Sequence, residues 1–143
     1  MNNRRDVYIV DGSRTPQLKA RGKPGPFSAS DLAVAAGRAL LMRHNFDLGE
    51  LDEVIMGCIM PSEDEANIGR VISLRLGVPQ TVPAWTVQRN CASGMQSIDS
   101  AFHNIANGQA DLVLAGGVEA MSRAPLLYNK TRVNWLCELM MAK

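Results

Sequence analysis

Four short apolar runs punctuate the chain: VYIV at 7–10, EVIMGCIM at 53–60, AWTVQ at 84–88 and LVLAGG at 112–117. Between them, apolar residues recur every three or four positions. Continuous, β-branched-rich runs fit strands buried on both faces, and the three-to-four spacing fits helices with one apolar stripe. The first helix is predicted from Leu32, Ala35, Ala36, Ala39 and Leu40. Ser28 and Asp31 stand ahead of it at capping-box spacing, and it should stop near Asn45. A second helix carries Ile68, Val71, Ile72 and Leu76, with Asn67 as its cap and Gly77 and Pro79 as its end. A third carries Met95, Ile98, Phe102 and Ile105 and ends at Gly108. The order is β-α-β-α-β-α-β. Strands separated by helical crossovers form a parallel sheet, so the fold class is α/β with helices flanking a parallel sheet.

The last segment, NKTRVNWLCELMMAK, places Trp135, Leu136, Leu139 and Met140 at helical spacing with no stop signal after them. Residues 1–125 therefore read as one α/β domain, and 126–143 as the start of a loop or helical region.

Composition narrows the partners. Fifteen basic residues face fourteen acidic ones without a block of either sign, which argues against a nucleic-acid groove or a polybasic membrane patch. The apolar run near the start is too short for a signal-peptide core or a membrane span, so the expected location is cytoplasmic. Three cysteines, Cys58, Cys91 and Cys137, lack the close spacing of a zinc site or a disulfide framework, and no metal is expected.

Cys91 is the cysteine whose setting changes the picture. WTVQRNCASGMQSID puts it where an apolar run ends and helical spacing begins, with Ala92, Ser93 and Gly94 clearing the space after it. In open α/β sheets, ligands bind beyond the carboxyl ends of the strands. Free N–H groups at a helix start favour a thiolate and can stabilise an oxyanion on an attacked carbonyl. That pattern suits covalent catalysis through an acyl thioester. A buried, unreactive thiol is the competing reading, and it is the better one for Cys58, inside an apolar strand, and for Cys137, as packing in the last helix. His103 lies twelve residues along the same helix, about 18 Å from Cys91 at 1.5 Å per residue, and cannot be its proton partner. Nothing places His44 near the site.

VYIVDGSRTP, QRNCASGMQ and LAGGVEAMSRAP, with DEANIGR between the first two, resemble the amino-terminal half of a thiolase in order and spacing. The resemblance runs from about Val7 to Pro125 and is nearest to degradative acetyl-CoA acyltransferases, including the β subunits of fatty-acid oxidation complexes. It implies one half of the duplicated thiolase fold, a βαβαβαβ sheet. It also implies acyl transfer between an active-site cysteine and coenzyme A, by thiolysis of a 3-ketoacyl-CoA or the reverse Claisen condensation. The family nucleophile maps onto Cys91, whose N–H maps onto an oxyanion contact. Gly116, Gly117, Glu119 and Met121 map onto a motif that shapes the substrate site.

Coenzyme A is then a substrate, with no permanently bound cofactor. The implied partners are acyl-CoA and CoA, a second copy in a homodimer or higher oligomer, and a fatty-acid-oxidation α subunit. The resemblance implies TVPAWTVQRN as the edge of that interface. The family's activating histidine, second catalytic cysteine and water-holding asparagine belong to later motifs, and none occurs here. The chain is therefore expected to be inactive alone and an enzyme at full length. Two alternatives stay open: a condensing enzyme that uses a carrier protein, and a non-catalytic dimerisation module. A hydrolase nucleophile elbow is weaker, because Arg89 stands where that motif needs glycine.

Overall fold

The computed structural model describes residues 5–20 and 22–142. Its centre is a three-stranded, all-parallel sheet of β1 (Glu53–Gly57), β2 (Ala84–Val87) and β3 (Val113–Gly117), in the order β2-β1-β3. Ile55 of β1 aligns with Trp85 on one side and Ala115 on the other. Two helices make the crossovers, α2 (Ile68–Leu76) from β1 to β2 and α3 (Ser93–Ala106) from β2 to β3. Because the two crossovers run in opposite directions across the sheet, right-handedness puts α2 and α3 on opposite faces. Helix α1 (Ala29–Leu41) packs on α2. The parallel sheet flanked by helices is the architecture expected.

The caps act as the sequence indicates. The Ser28 side chain accepts from the Asp31 N–H, and the Asp31 carboxylate accepts in turn from the Ser28 N–H, closing a capping box. Asn67 caps α2 through the Arg70 N–H, and Gly77 ends it with φ +88°. That left-handed conformation suits glycine at a helix C-terminus. The core sits between β1, α2 and α1, with Val54, Ile68 and Ile72 fully buried.

Four expectations need correction. The segment 7–10 has no regular secondary structure and belongs to no sheet. Its flanks are held by helix ends rather than by a strand edge. Arg5 N–H donates to the carbonyl of Ala106, the last residue of α3, and the Asp11 carboxylate pairs with Arg43 and His44 beyond α1. Between those anchors Tyr8, Ile9 and Val10 stand in solvent, Ile9 at 86% of its full exposure. A strand without a ladder partner has nothing to satisfy its backbone but water, so the sheet has three strands where four were expected.

In α3 the stripe is reversed. Met95 is 67% and Phe102 43% exposed, while Ser93, Ser97, Ala101 and Ala106 are buried. In α1 the inward face is rotated: Ala29 and Val34 are buried, whereas Ala35 and Ala39 are exposed, and the helix ends at Leu41, before Asn45. Finally, Cys137 does not pack. It lies exposed on α4 (Lys130–Met141), a helix with no buried residue.

Candidate active site

The carboxyl ends of β1 and β3 and the amino end of α3 meet at one place, and glycines let them. A Cβ on Gly57, the last residue of β1, would lie 2.3 Å from the Ser93 carbonyl carbon and oxygen. A Cβ on Gly117, the last residue of β3, would lie 2.7 Å from the Gly94 Cα. Real side chains do not tolerate such distances, so both positions need glycine for the first turn of α3 to rest on the sheet. Ser97, one turn on and fully buried, fastens the contact: its hydroxyl lies 2.8 Å from the Gly116 carbonyl and 2.7 Å from the Gly94 carbonyl.

Cys91 is exposed and stands just before this seated turn. The junction is built by Ser93. Its hydroxyl accepts from the Arg89 N–H at 2.8 Å and donates to the Asn90 carbonyl at 2.7 Å, and its own N–H donates to that carbonyl at 3.0 Å. The Ala92 N–H donates to the Arg89 carbonyl. Two N–H groups at this helix end are therefore occupied within the turn.

Cys91, Gly116, Gly117, Glu119 and Met121 line one open cavity of about 880 Å³. The carboxylate of Glu119 accepts from the Ile59 N–H and so ties the loop after β3 to the loop after β1. Met121 opens a short turn, Met121–Arg123, that holds the opposite wall. There the Arg123 guanidinium donates to the Gly25 carbonyl at 2.9 Å, and the Gly25 N–H donates to the Ser122 hydroxyl at 3.0 Å.

Sequence reasoning missed that wall. It is formed by residues 13–20, by Lys23 and by residues 25–27, with Pro16, Leu18 and Phe27 among its apolar members. It also missed Gly57, for which a signal exists: a lone glycine inside an apolar strand marks close backbone approach.

Cys58 and the two histidines do not line the cavity, whereas Arg14, Lys19 and Lys23 do. Cys58 is buried. Burial, and then the negative charge of neighbouring Glu119, push its thiol up to about 12, so it stays protonated and inert. His44 pairs with Asp11, and His103 bonds the Asp99 carbonyl oxygen one turn back. Neither lines the cavity. Among the described residues no group of three or more His, Cys, Asp or Glu side chains is placed to hold a metal ion. Among the described residues no helix is long and apolar enough to cross a membrane.

Comparison with known proteins agrees with this geometry. The family model for the thiolase N-terminal domain matches residues 7–140. A β-ketoadipyl-CoA thiolase of Pseudomonas knackmussii is 45% identical over 128 residues, which cover 88% of this chain and 32% of that protein. The 3-oxoadipyl-CoA/3-oxo-5,6-dehydrosuberyl-CoA thiolase of Escherichia coli is 41% identical over the same shares. Among solved structures, human mitochondrial 3-ketoacyl-CoA thiolase in complex with CoA superposes with a TM-score of 0.69 at 38% identity. That superposition covers 75% of this chain and 27% of the human one. Bacillus anthracis acetyl-CoA acetyltransferase gives the same TM-score and coverage at 41% identity. The chain spans about a third of the length of the curated relatives it matches.

Proposed function

This chain belongs to the thiolase family, as its amino-terminal domain, and we propose that Cys91 is the residue that accepts the acyl group from a 3-ketoacyl-CoA. The reading is carried by one placement: an exposed cysteine at the start of α3, on a cavity edged by the carboxyl ends of β1 and β3. The sulfur attacks the 3-keto carbon of the substrate. The bond between carbons 2 and 3 then breaks, its electron pair stays on carbon 2, and a proton delivered there releases acetyl-CoA. The shortened acyl group remains as a thioester on Cys91 until the thiol of free CoA attacks it. The condensation is the same path reversed.

Each half of that path needs a proton acceptor and a proton donor. The two histidines of the chain lie away from the cavity, and Cys58 is buried with its thiol held protonated. Lys19, Lys23 and Glu119 also line the cavity but are assigned no proton-transfer role, and the chain alone is expected to be inactive. Gly116, Gly117 and Glu119 shape the cavity floor, and Met121 begins the turn that holds its far wall. The outer edge of β2 is unpaired, which leaves Thr81–Asn90 available to a second copy in a dimer. The relatives are named for CoA esters, which favours CoA over a carrier protein as the acyl partner.

Thiolysis of acetoacetyl-CoA tests the assignment. A thiolase-length form carrying these residues is expected to turn over, Cys91→Ala to abolish turnover, and the present chain to stay at background. Turnover that survives in Cys91→Ala overturns it.

A further inference from the structure

Among the described residues, Asn90 is the one non-glycine residue with a left-handed backbone, at φ +48°. It immediately precedes Cys91. Side chains with a Cβ rarely adopt this conformation, and asparagine tolerates it better than most. We propose that Asn90 is a positioning residue for Cys91, and that it acts through its backbone conformation. The proposal rests on the thiolase reading of Cys91.

Three observations support it. The hydrogen bonds of Asn90 among the described residues run through its backbone carbonyl, which accepts from both the N–H and the hydroxyl of Ser93. Its carboxamide is not needed to hold the turn. Ser93 in turn cannot move, because its carbonyl lies against Gly57 and its hydroxyl is also held by the Arg89 N–H. With Arg89 and Ser93 fixed to each other, the chain has three residues in which to reverse. The left-handed step at Asn90 makes that reversal and leaves Cys91 exposed on the cavity. A right-handed or extended residue at 90 would redirect the Cys91 side chain or break the Ser93 contacts. Sites that hold strain of this kind are often the ones that aim a reacting group.

The three cysteines supply the test and its controls. The second-order rate of iodoacetamide reaction is followed at each by peptide mapping in the wild-type chain and in Asn90→Gly, Asn90→Ala and Asn90→Val. Glycine should keep the Cys91 rate within about two-fold, because it adopts left-handed φ freely. Valine, β-branched, should slow Cys91 about ten-fold or more, with alanine between them. Cys137, exposed on α4, should not change in any variant, and Cys58 should stay unlabelled. Labelling of Cys58 would report global unfolding, and the alanine variant then carries the comparison.

Wild-type rates at Cys91 in folded Asn90→Ala and Asn90→Val would overturn the proposal. So would a glycine variant as slow as valine, which would assign the role to the carboxamide. In a thiolase-length form, Asn90→Val should lower kcat with KM little changed, and Asn90→Gly should restore it. Alkylation needs no turnover. A loss of the thiolase reading would therefore appear as absent thiolysis with the alkylation order intact.

Discussion

Helices α2 and α3 both cross the sheet between parallel strands, and both carry an apolar stripe at helical spacing, yet they use it in opposite ways. On α2, Ile68 and Ile72 point inward and are fully buried, and Val71 and Leu76 are half-buried. On α3 the inward row is Ser93, Ser97 and Ala101, while Met95, Ile98 and Phe102 face out. Both helices approach strand backbone closely, α2 at Gly69 alone and α3 at Gly57 and Gly117. Gly57 and Gly117 bring the first turn of α3 onto strand backbone, where only small side chains fit. Close seating fixes the amino end of α3, and with it Cys91. Its cost is the burial that the large residues would have contributed. A hydrophobic stripe therefore reports an apolar partner somewhere, and on α3 that partner is not the sheet. Exposed apolar patches of this kind mark contact surfaces.

The comparison breaks most visibly at a glycine of α2. A Cβ on Gly69 would meet the Trp85 carbonyl oxygen at 2.1 Å, against backbone that cannot give way. Gly69→Val is expected to abolish cooperative unfolding altogether, as followed by circular dichroism. A folded variant would mean that α2 can lift off β2 without loss.

Core truncation should then separate the two stripes. Ile72→Ala removes a fully buried side chain and is expected to cost about 2–5 kcal/mol in chemical denaturation. Phe102→Ala, on the outward face, should cost less than about 1 kcal/mol. Equal costs would erase the distinction between the helices.

A smaller, pH-dependent difference should follow from the charges that tie α1 to α2. Asp31 has its pKa lowered by the Arg75 guanidinium and then by the Ser28 N–H. Burial would raise that of Glu65, but hydrogen bonds from Ser30, Ser28 and Ser62 outweigh it and lower the value. A carboxylate with a depressed folded pKa stabilises fully above its unfolded value and loses that contribution as pH falls toward the folded one. The ordinary values are 4.5 for Glu and 3.8 for Asp, so protection of α1 and α2 amides should decline below pH 4.5. Amides of the first turns of α3, seated on the sheet through glycine backbone and the Ser97 hydroxyl, should decline less. Hydrogen exchange across that range reads both, and a uniform decline would contradict the assignment.

Much of the fold was legible because capping and glycine termination are local. Ser28, Asp31, Asn67 and Gly77 act as their positions in the sequence imply. What was not legible depends on neighbours. VYIV has strand composition, but a strand exists only with a partner, and the ends of this segment are anchored to helices instead. The orientation of α3 was hidden because periodicity identifies a face without saying what it touches. Of the candidate site, the sequence named Cys91, Gly116, Gly117, Glu119 and Met121, which line one cavity. Asn90 was not legible, since a backbone sign at an asparagine leaves no trace in composition.

The central claim is that this seated helix end presents Cys91 to receive an acyl group. Rapid acid quench of a thiolase-length form with acetoacetyl-CoA, followed by peptide mass analysis, tests it most directly. The account predicts an acetyl thioester on the Cys91 peptide that disappears when free CoA is added before the quench. An acyl group on any other residue, with the Cys91 peptide unmodified during turnover, would contradict it.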